Sequence, residues 1–230
     1  VAVWLQDQGV GPEVVVGLAI ARSVEMVTGL IGILKAGGAY LPLDPGYPAA
    51  HRARMLEASG ARLLLTAFDA ASDLPDLPDL RVLHLPDPSG LPDARPVRHR
   101  PHPQALVNLL FTSGSTGQPK PVAGTLGMVL NRLFWDLDDA DGAVYAQKTA
   151  LNFVDGLWEV LQPLIGGGTC ALMPVDAWRR VDDLLDRASA AGTTHMAMVP
   201  SQARLLLAAC PDLGRRLPHL RRCILGGEPL

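Results

Sequence analysis

The residues best suited to chemistry are Thr112-Ser113-Gly114-Ser115-Thr116-Gly117-Gln118-Pro119-Lys120. The apolar run Leu106 to Phe111 precedes them and reads as a short buried strand. Gly114 and Gly117 let backbone N–H groups approach a ligand closely. Thr112, Ser113, Ser115 and Thr116 add hydroxyls, and Lys120 adds a positive charge. Phosphates and other oxyanions require such a concentrated array of donors. The segment is not a Walker A loop, because Gly117 is followed by Gln-Pro-Lys rather than by Lys-Ser or Lys-Thr.

The ordered string Thr-Ser-Gly-Ser-Thr-Gly-x-Pro-Lys resembles the phosphate-binding loop of adenylate-forming enzymes. These include acyl-CoA synthetases, luciferases and the adenylation domains of nonribosomal peptide synthetases. Leu34-Lys-Ala-Gly-Gly-Ala-Tyr-Leu-Pro-Leu-Asp-Pro45 resembles the second core motif of the peptide-synthetase branch. Phe153 to Glu159 resembles the acyl-pocket motif, and Leu220 to Leu230 resembles the strand and turn before the adenine-binding motif. The resemblance implies ATP-dependent activation of a carboxylic acid as an acyl-adenylate, with Mg²⁺ assisting. The acyl group then passes to the phosphopantetheine thiol of a carrier protein. It implies phosphate contacts from Thr112, Ser113, Gly114, Ser115, Thr116, Gly117 and Lys120, with Lys120 the catalytic cation. The family's usual glycine after this lysine is Pro121 here, which removes one backbone donor. The magnesium ligand, ribose contact and C-terminal catalytic lysine are expected beyond Leu230, so residues 1–230 alone are expected to be inactive.

Substrate choice rests on Phe153-Val154-Asp155-Gly156. Family members that activate α-amino acids place an aspartate directly after this phenylalanine, and Val154 stands there instead. A buried ammonium facing valine loses its partner, a large penalty. Asp155 lies one residue later. One helical step displaces a side chain by about 100° and about 1.5 Å, which suits a displaced amine. The pattern resembles members that activate β-alanine or another small β-amino acid. It assigns Trp158, Met198, Ile224 and Gly226 to the pocket beside Phe153, Val154 and Asp155. A second reading has Asp155 capping a helix that begins near Gly156, leaving an acid without an amine as substrate. An acyl- or aryl-CoA ligase, or a non-catalytic adenylation-like interaction module, are the alternatives to a synthetase domain.

The elements that would position these residues alternate. Strands are expected at Val14–Ile20, Ala39–Leu43, Ala61–Thr66, Val144–Thr149, Thr169–Met173, Thr194–Val199 and Leu220–Leu225. Helices are expected over Val1–Gln8 (the end of one), around Met26–Leu34, over Pro48–Ser59 and Leu126–Trp135, after Phe153, from Asp176 to Ala190 and from Pro200. Alternation of this kind argues for parallel βα units. The expected fold is α/β, with layered sheets flanked by helices, as in the first half of the family's large N-terminal subdomain. Residues 1–230 then form one incomplete adenylation domain. Residues 67–103, rich in Pro and Asp around a strand at Arg81–Leu85, read as a surface connection.

Composition excludes several other classes. Hydrophobic residues make up 48% of the chain, enough for a real core rather than disorder. A net charge of −3 gives no reason to expect a nucleic-acid partner. No apolar run reaches membrane-span length and no signal peptide is visible, so a cytoplasmic protein without membrane partners is expected. Cys170, Cys210 and Cys223 read as buried thiols of a reducing compartment. His84, His99 and His102 read as solvated loop residues, with no ligand pattern for a metal around them.

Overall fold

A computed structural model describes residues 1–67, 77–87, 91, 96–97, 99–112, 120–135 and 140–229. The chain forms two compact units, Val1–Leu130 and Asn131–Leu230.

The first unit begins with helix α1 (Ala2–Asp7), then β1 (Val15–Ala19), α2 (Val24–Ala36), β2 (Ala39–Pro42), α3 (Ala49–Ser59), β3 (Leu63–Thr66) and β4 (Arg81–His84). It closes with β5 (Leu106–Thr112), β6 (Lys120–Thr125) and the start of α4 (Leu126–Phe134). The strand order is β4-β3-β1-β2-β5-β6. All neighbours are parallel except β5 and β6. Every residue of β2 and β3 is buried, as strands covered on both faces require.

Local chemistry sets the boundaries of α2. The Ser23 hydroxyl accepts from the Met26 amide at 3.2 Å, and Gly37 ends the helix at φ +93°. That left-handed backbone favours glycine. Between these ends, Leu30 and Ile33 are fully buried.

The second unit continues from α4 into β7 (Val144–Gln147), α5 (Val154–Ile165), β8 (Thr169–Leu172) and α6 (Val181–Ala190). β9 (His195–Met198), α7 (Pro200–Ala209), α8 (Leu213–Arg216) and β10 (Arg222–Leu225) follow. Its sheet is wholly parallel, in the order β10-β9-β7-β8. The α/β class expected from the sequence, with sheets flanked by helices, is present.

Three features differ from the sequence-based expectation. Strand β6 was not anticipated, because Pro121 and Gly124 weaken its strand signal. It lies at the sheet edge, where a missing N–H is tolerated. Helix α6 starts at Val181 rather than at Asp176. Asp176 instead lies in a turn ahead of the helix, where it pairs with Arg180 at 2.9 Å, and Arg180 also reaches Asp183 at 3.0 Å. Among the cysteines only Cys210 is buried; Cys170 is partly covered and Cys223 is exposed on the edge strand β10. The strand expected within 67–103 is present as β4, which pairs with β3, while residues 68–76, 88–90, 92–95 and 98 of that stretch lie outside the described residues.

The turn between α5 and β8 illustrates a steric constraint. A side chain at Gly168 would place its Cβ 2.5 Å from the carbonyl oxygens of both Ala140 and Ala143. Backbone atoms cannot yield as side chains do. Gly168→Ala is therefore expected to cost about 1–3 kcal/mol. Gly166, at φ −85°, carries no backbone requirement for glycine, so Gly166→Ala should be much milder. Urea denaturation of the two variants checks the difference.

Candidate functional site

In the first unit, β5 and β6 form a hairpin whose open end carries the phosphate-loop sequence. Thr112 and Lys120 are cross-strand partners, and both are exposed. The hairpin therefore brings the first hydroxyl and the lysine of the motif together. Ser113, Gly114, Ser115, Thr116 and Gly117 lie outside the described residues. Pro121, the departure from the family pattern, stands opposite Phe111 in the strand ladder. Further along, Gly124 faces Asn108, whose Oδ1 lies 2.3 Å from where a Cβ would stand. A side chain at 124 would have to push the buried Asn108 side chain aside.

In the second unit, the candidate acid-binding residues gather around the carboxyl ends of β7, β9 and β10. Ligands of open α/β sheets commonly bind at that edge. Phe153, Val154 and Asp155 follow β7 and open helix α5. Phe153 and Val154 are 65% and 54% exposed, which is unusual for large apolar side chains. The helix starts at Val154, so Asp155 lies inside its first turn, where the helix dipole favours a negative charge. It makes no side-chain cap at that end.

Asp155 is engaged sideways instead. Its Oδ1 accepts a hydrogen bond from Arg132 Nη2 at 2.9 Å, with the side chains 26% and 46% exposed. The Arg132 guanidinium also lies over two indoles, 4.6 Å from the Trp158 ring centre and 5.1 Å from that of Trp135. Trp158 is fully buried and meets Tyr145 edge-on at 5.2 Å. Tyr145 stacks in turn on His195 at 4.5 Å. Trp158 Nε1 and Arg132 Nη1 are buried with no hydrogen-bond acceptor among the described residues.

Ile224 pairs with Ala197 across β9 and β10, and the Gly226 amide donates to the Met198 carbonyl at 3.3 Å. These strand ends are therefore adjacent. Met198 departs from the pocket expectation in its side chain. It packs in the core cluster with Met173, Met196, Leu184 and Leu206, on the α6 and α7 side. The strand alternates, so Met198 faces the sheet side opposite to His195, Tyr145 and Trp158.

A buried ion pair holds this edge in place. Lys148 Nζ lies 3.2 Å from Glu159 Oε1, and each side chain is 1% exposed. Glu159 Oε2 also accepts from the backbone amides of Lys148 at 2.9 Å and Thr149 at 2.8 Å. Its Oε1 accepts from the Thr149 hydroxyl at 2.8 Å. The Trp178 ring lies 5.3 Å from the ammonium. Burial raises the Glu159 carboxyl above the ordinary range, opposed by the lysine charge and by these donors. The carboxylate thus clamps the turn between β7 and α5. Lys148 is structural, as its position ahead of the motif suggests.

Gly156 closes the same turn from the other side. A Cβ there would meet the Ala150 carbonyl oxygen at 2.3 Å. Arg132 and the Tyr145–His195 stack are absent from the sequence reading. No local pattern marks a guanidinium that pairs with a carboxylate on another helix.

The family described as AMP-binding enzyme matches residues 1–230 in full. The chain is 41% identical over 235 residues to phosphinothricin tripeptide synthetase PhsB of Streptomyces viridochromogenes, covering 98% of this chain and 19% of that protein. The structure of the nonribosomal peptide synthetase FmoA3 in its α-methyl-L-serine-AMP bound form superposes with a TM-score of 0.87 at 25% identity, covering 99% of this chain and 26% of that one. The N-terminal subdomain of Klebsiella oxytoca NpsA shares the fold, with a TM-score of 0.81 at 20% identity, covering 100% of this chain and 58% of that one. The chain belongs to the AMP-binding enzyme family, whose members form adenylates. Its fold is that of the family's N-terminal subdomain, in the branch found in nonribosomal peptide synthetases. It spans only part of the curated relatives it matches.

The clamp gives a stability test. Removing one partner of a buried pair leaves the other charge uncompensated, at a cost of about 3–5 kcal/mol. Glu159→Ala is expected to lose that much in urea denaturation, and Glu159→Gln less, because the amide oxygen can still accept from the Thr149 amide.

Proposed function

We propose that this chain is the phosphate- and acid-binding part of a peptide-synthetase adenylation domain acting on β-alanine or another small β-amino acid. The observation that carries the reading is the opening of α5. Val154 stands where an α-amine would need a carboxylate, and Asp155 supplies that carboxylate one step further round the helix. Trp158, buried beneath Arg132, forms the inner wall and favours a short substrate. Ile224 and Gly226 contribute from the neighbouring strand ends, and Phe153 stands near the substrate carboxylate.

Thr112 and Lys120 fit a polyphosphate, since an exposed hydroxyl and an exposed ammonium face each other at the hairpin mouth. ATP, as co-substrate, supplies the phosphorus that the acid attacks, with pyrophosphate leaving. Lys120 would offset negative charge on the departing phosphates. Ser113, Gly114, Ser115, Thr116 and Gly117 complete the donor set in this reading. Among the described residues no group of three or more His, Cys, Asp or Glu side chains could hold a metal ion, and none is assigned to Mg²⁺. A carrier-protein phosphopantetheine thiol is the proposed acceptor of the acyl group.

One observation favours a second reading. Asp155 already has a cation in Arg132. A neutralised pair would suit an acid without an amine, as in an aryl or acyl ligase.

ATP–pyrophosphate exchange by a complete adenylation domain containing residues 1–230 distinguishes the two readings. The panel is β-alanine, L-alanine, 3-aminobutyrate, pyruvate and benzoate. β-Alanine or 3-aminobutyrate should lead, and Asp155→Asn should abolish that lead. Preference for L-alanine would refute the assignment, and preference for pyruvate or benzoate would favour the second reading. In the same domain, Lys120→Ala should slow exchange by about 10²–10³-fold, the usual effect of losing one electrostatic contact to shifting charge. An unchanged rate would remove Lys120 from the phosphate site.

A further inference from the structure

We propose that Arg132 is a specificity-determining residue that competes with the substrate's amine for Asp155. The inference rests on the reading of Asp155 as the amine partner and adds a residue that neither the motifs nor that reading include.

Four observations support it. Arg132 Nη2 holds Asp155 Oδ1 at 2.9 Å, while no hydrogen bond among the described residues occupies the second carboxylate oxygen. The guanidinium is fixed by more than this contact, because it also lies over Trp135 and Trp158. Its Nη1 is buried and meets no acceptor among the described residues, so no other described carboxylate shares its charge through that nitrogen. The Asp155 side chain is 46% exposed and so remains reachable.

An ammonium that docks on the second oxygen therefore approaches a carboxylate already paired with a fixed cation. It gains attraction to Asp155 and suffers repulsion from Arg132 at only slightly longer range. Arg132 also steadies the carboxylate, which helps binding. That ordering gain concerns one short side chain and is small beside charge repulsion at contact distances. The net effect is to weaken binding of an amine relative to binding of acids that lack one, since those acids gain nothing from a bare Asp155 carboxylate. Solvent exposure of both groups moderates the size. The pair thus acts as a threshold: a substrate must place its amine well to compete.

The test measures KM and kcat in a complete adenylation domain containing residues 1–230, for β-alanine and for 3-hydroxypropionate, which lacks the amine. Arg132→Gln keeps a planar polar group over the indoles and removes the charge. It is expected to lower the ratio of the KM for β-alanine to that for 3-hydroxypropionate about ten-fold, with kcat for β-alanine unchanged. Arg132→Lys retains the cation and should keep KM within about two-fold of the parent. A raised KM for β-alanine in Arg132→Gln would show that Arg132 assists the amine, and would overturn the proposal. So would an unchanged ratio between the two acids, or an equal fall in Arg132→Lys. Melting temperatures of both variants show whether a change in KM reflects folding, and a variant that does not fold leaves the other to decide. Asp155→Asn separates the two levels. If it leaves β-alanine selectivity intact, the Asp155 reading itself fails. If it removes that selectivity while Arg132→Gln has no effect, only the role of Arg132 fails.

Discussion

The second unit depends on one buried charge pair. Glu159 cannot be left in a dry interior as an isolated ion, since desolvation would cost several kcal/mol. Lys148, two backbone amides and the Thr149 hydroxyl together compensate it. Those partners lie in the turn that leaves β7, whereas Glu159 lies on α5. The pair therefore ties the end of a strand to the body of the following helix. With the turn held, Phe153 and Val154 emerge on the exposed side and Asp155 enters the first turn of α5.

The same edge is shaped by aromatic packing. Trp158 lies beneath Arg132 and against Tyr145, which stacks on His195 from the neighbouring strand. Such a column fixes side chains from β7, β9 and α5 relative to one another. It also explains how an arginine can stay partly buried with one nitrogen that meets no acceptor among the described residues. The indole faces attract the cation and offset part of its lost hydration. This edge of the sheet is thus a small network in which charge, ring packing and helix position are interdependent.

The first unit treats its charged residues differently. Lys120 and Thr112 stand exposed at the end of an edge hairpin. The core beneath them is a parallel sheet whose middle strands are buried on both faces. The Lys120 ammonium is thus left in contact with solvent rather than buried alone, which would be costly.

Much of this organisation was legible in the residues themselves. Glycines at 37 and 60 end helices because their left-handed backbone favours glycine, and alternating apolar runs forecast the parallel sheets. The phosphate motif and the Phe153–Glu159 motif are ordered strings, readable without knowledge of contacts. Tertiary structure decided the rest. It turned Lys120–Thr125 into an edge strand despite Pro121, and it set the start of α6 at Val181, after a turn at Asp176–Arg180. It also sent Met198 into the core, and brought Arg132 to Asp155 from 23 residues away. Local sequence encodes backbone preference and periodicity. Which charge meets which, and which face of a strand turns inward, are settled only when distant elements pack.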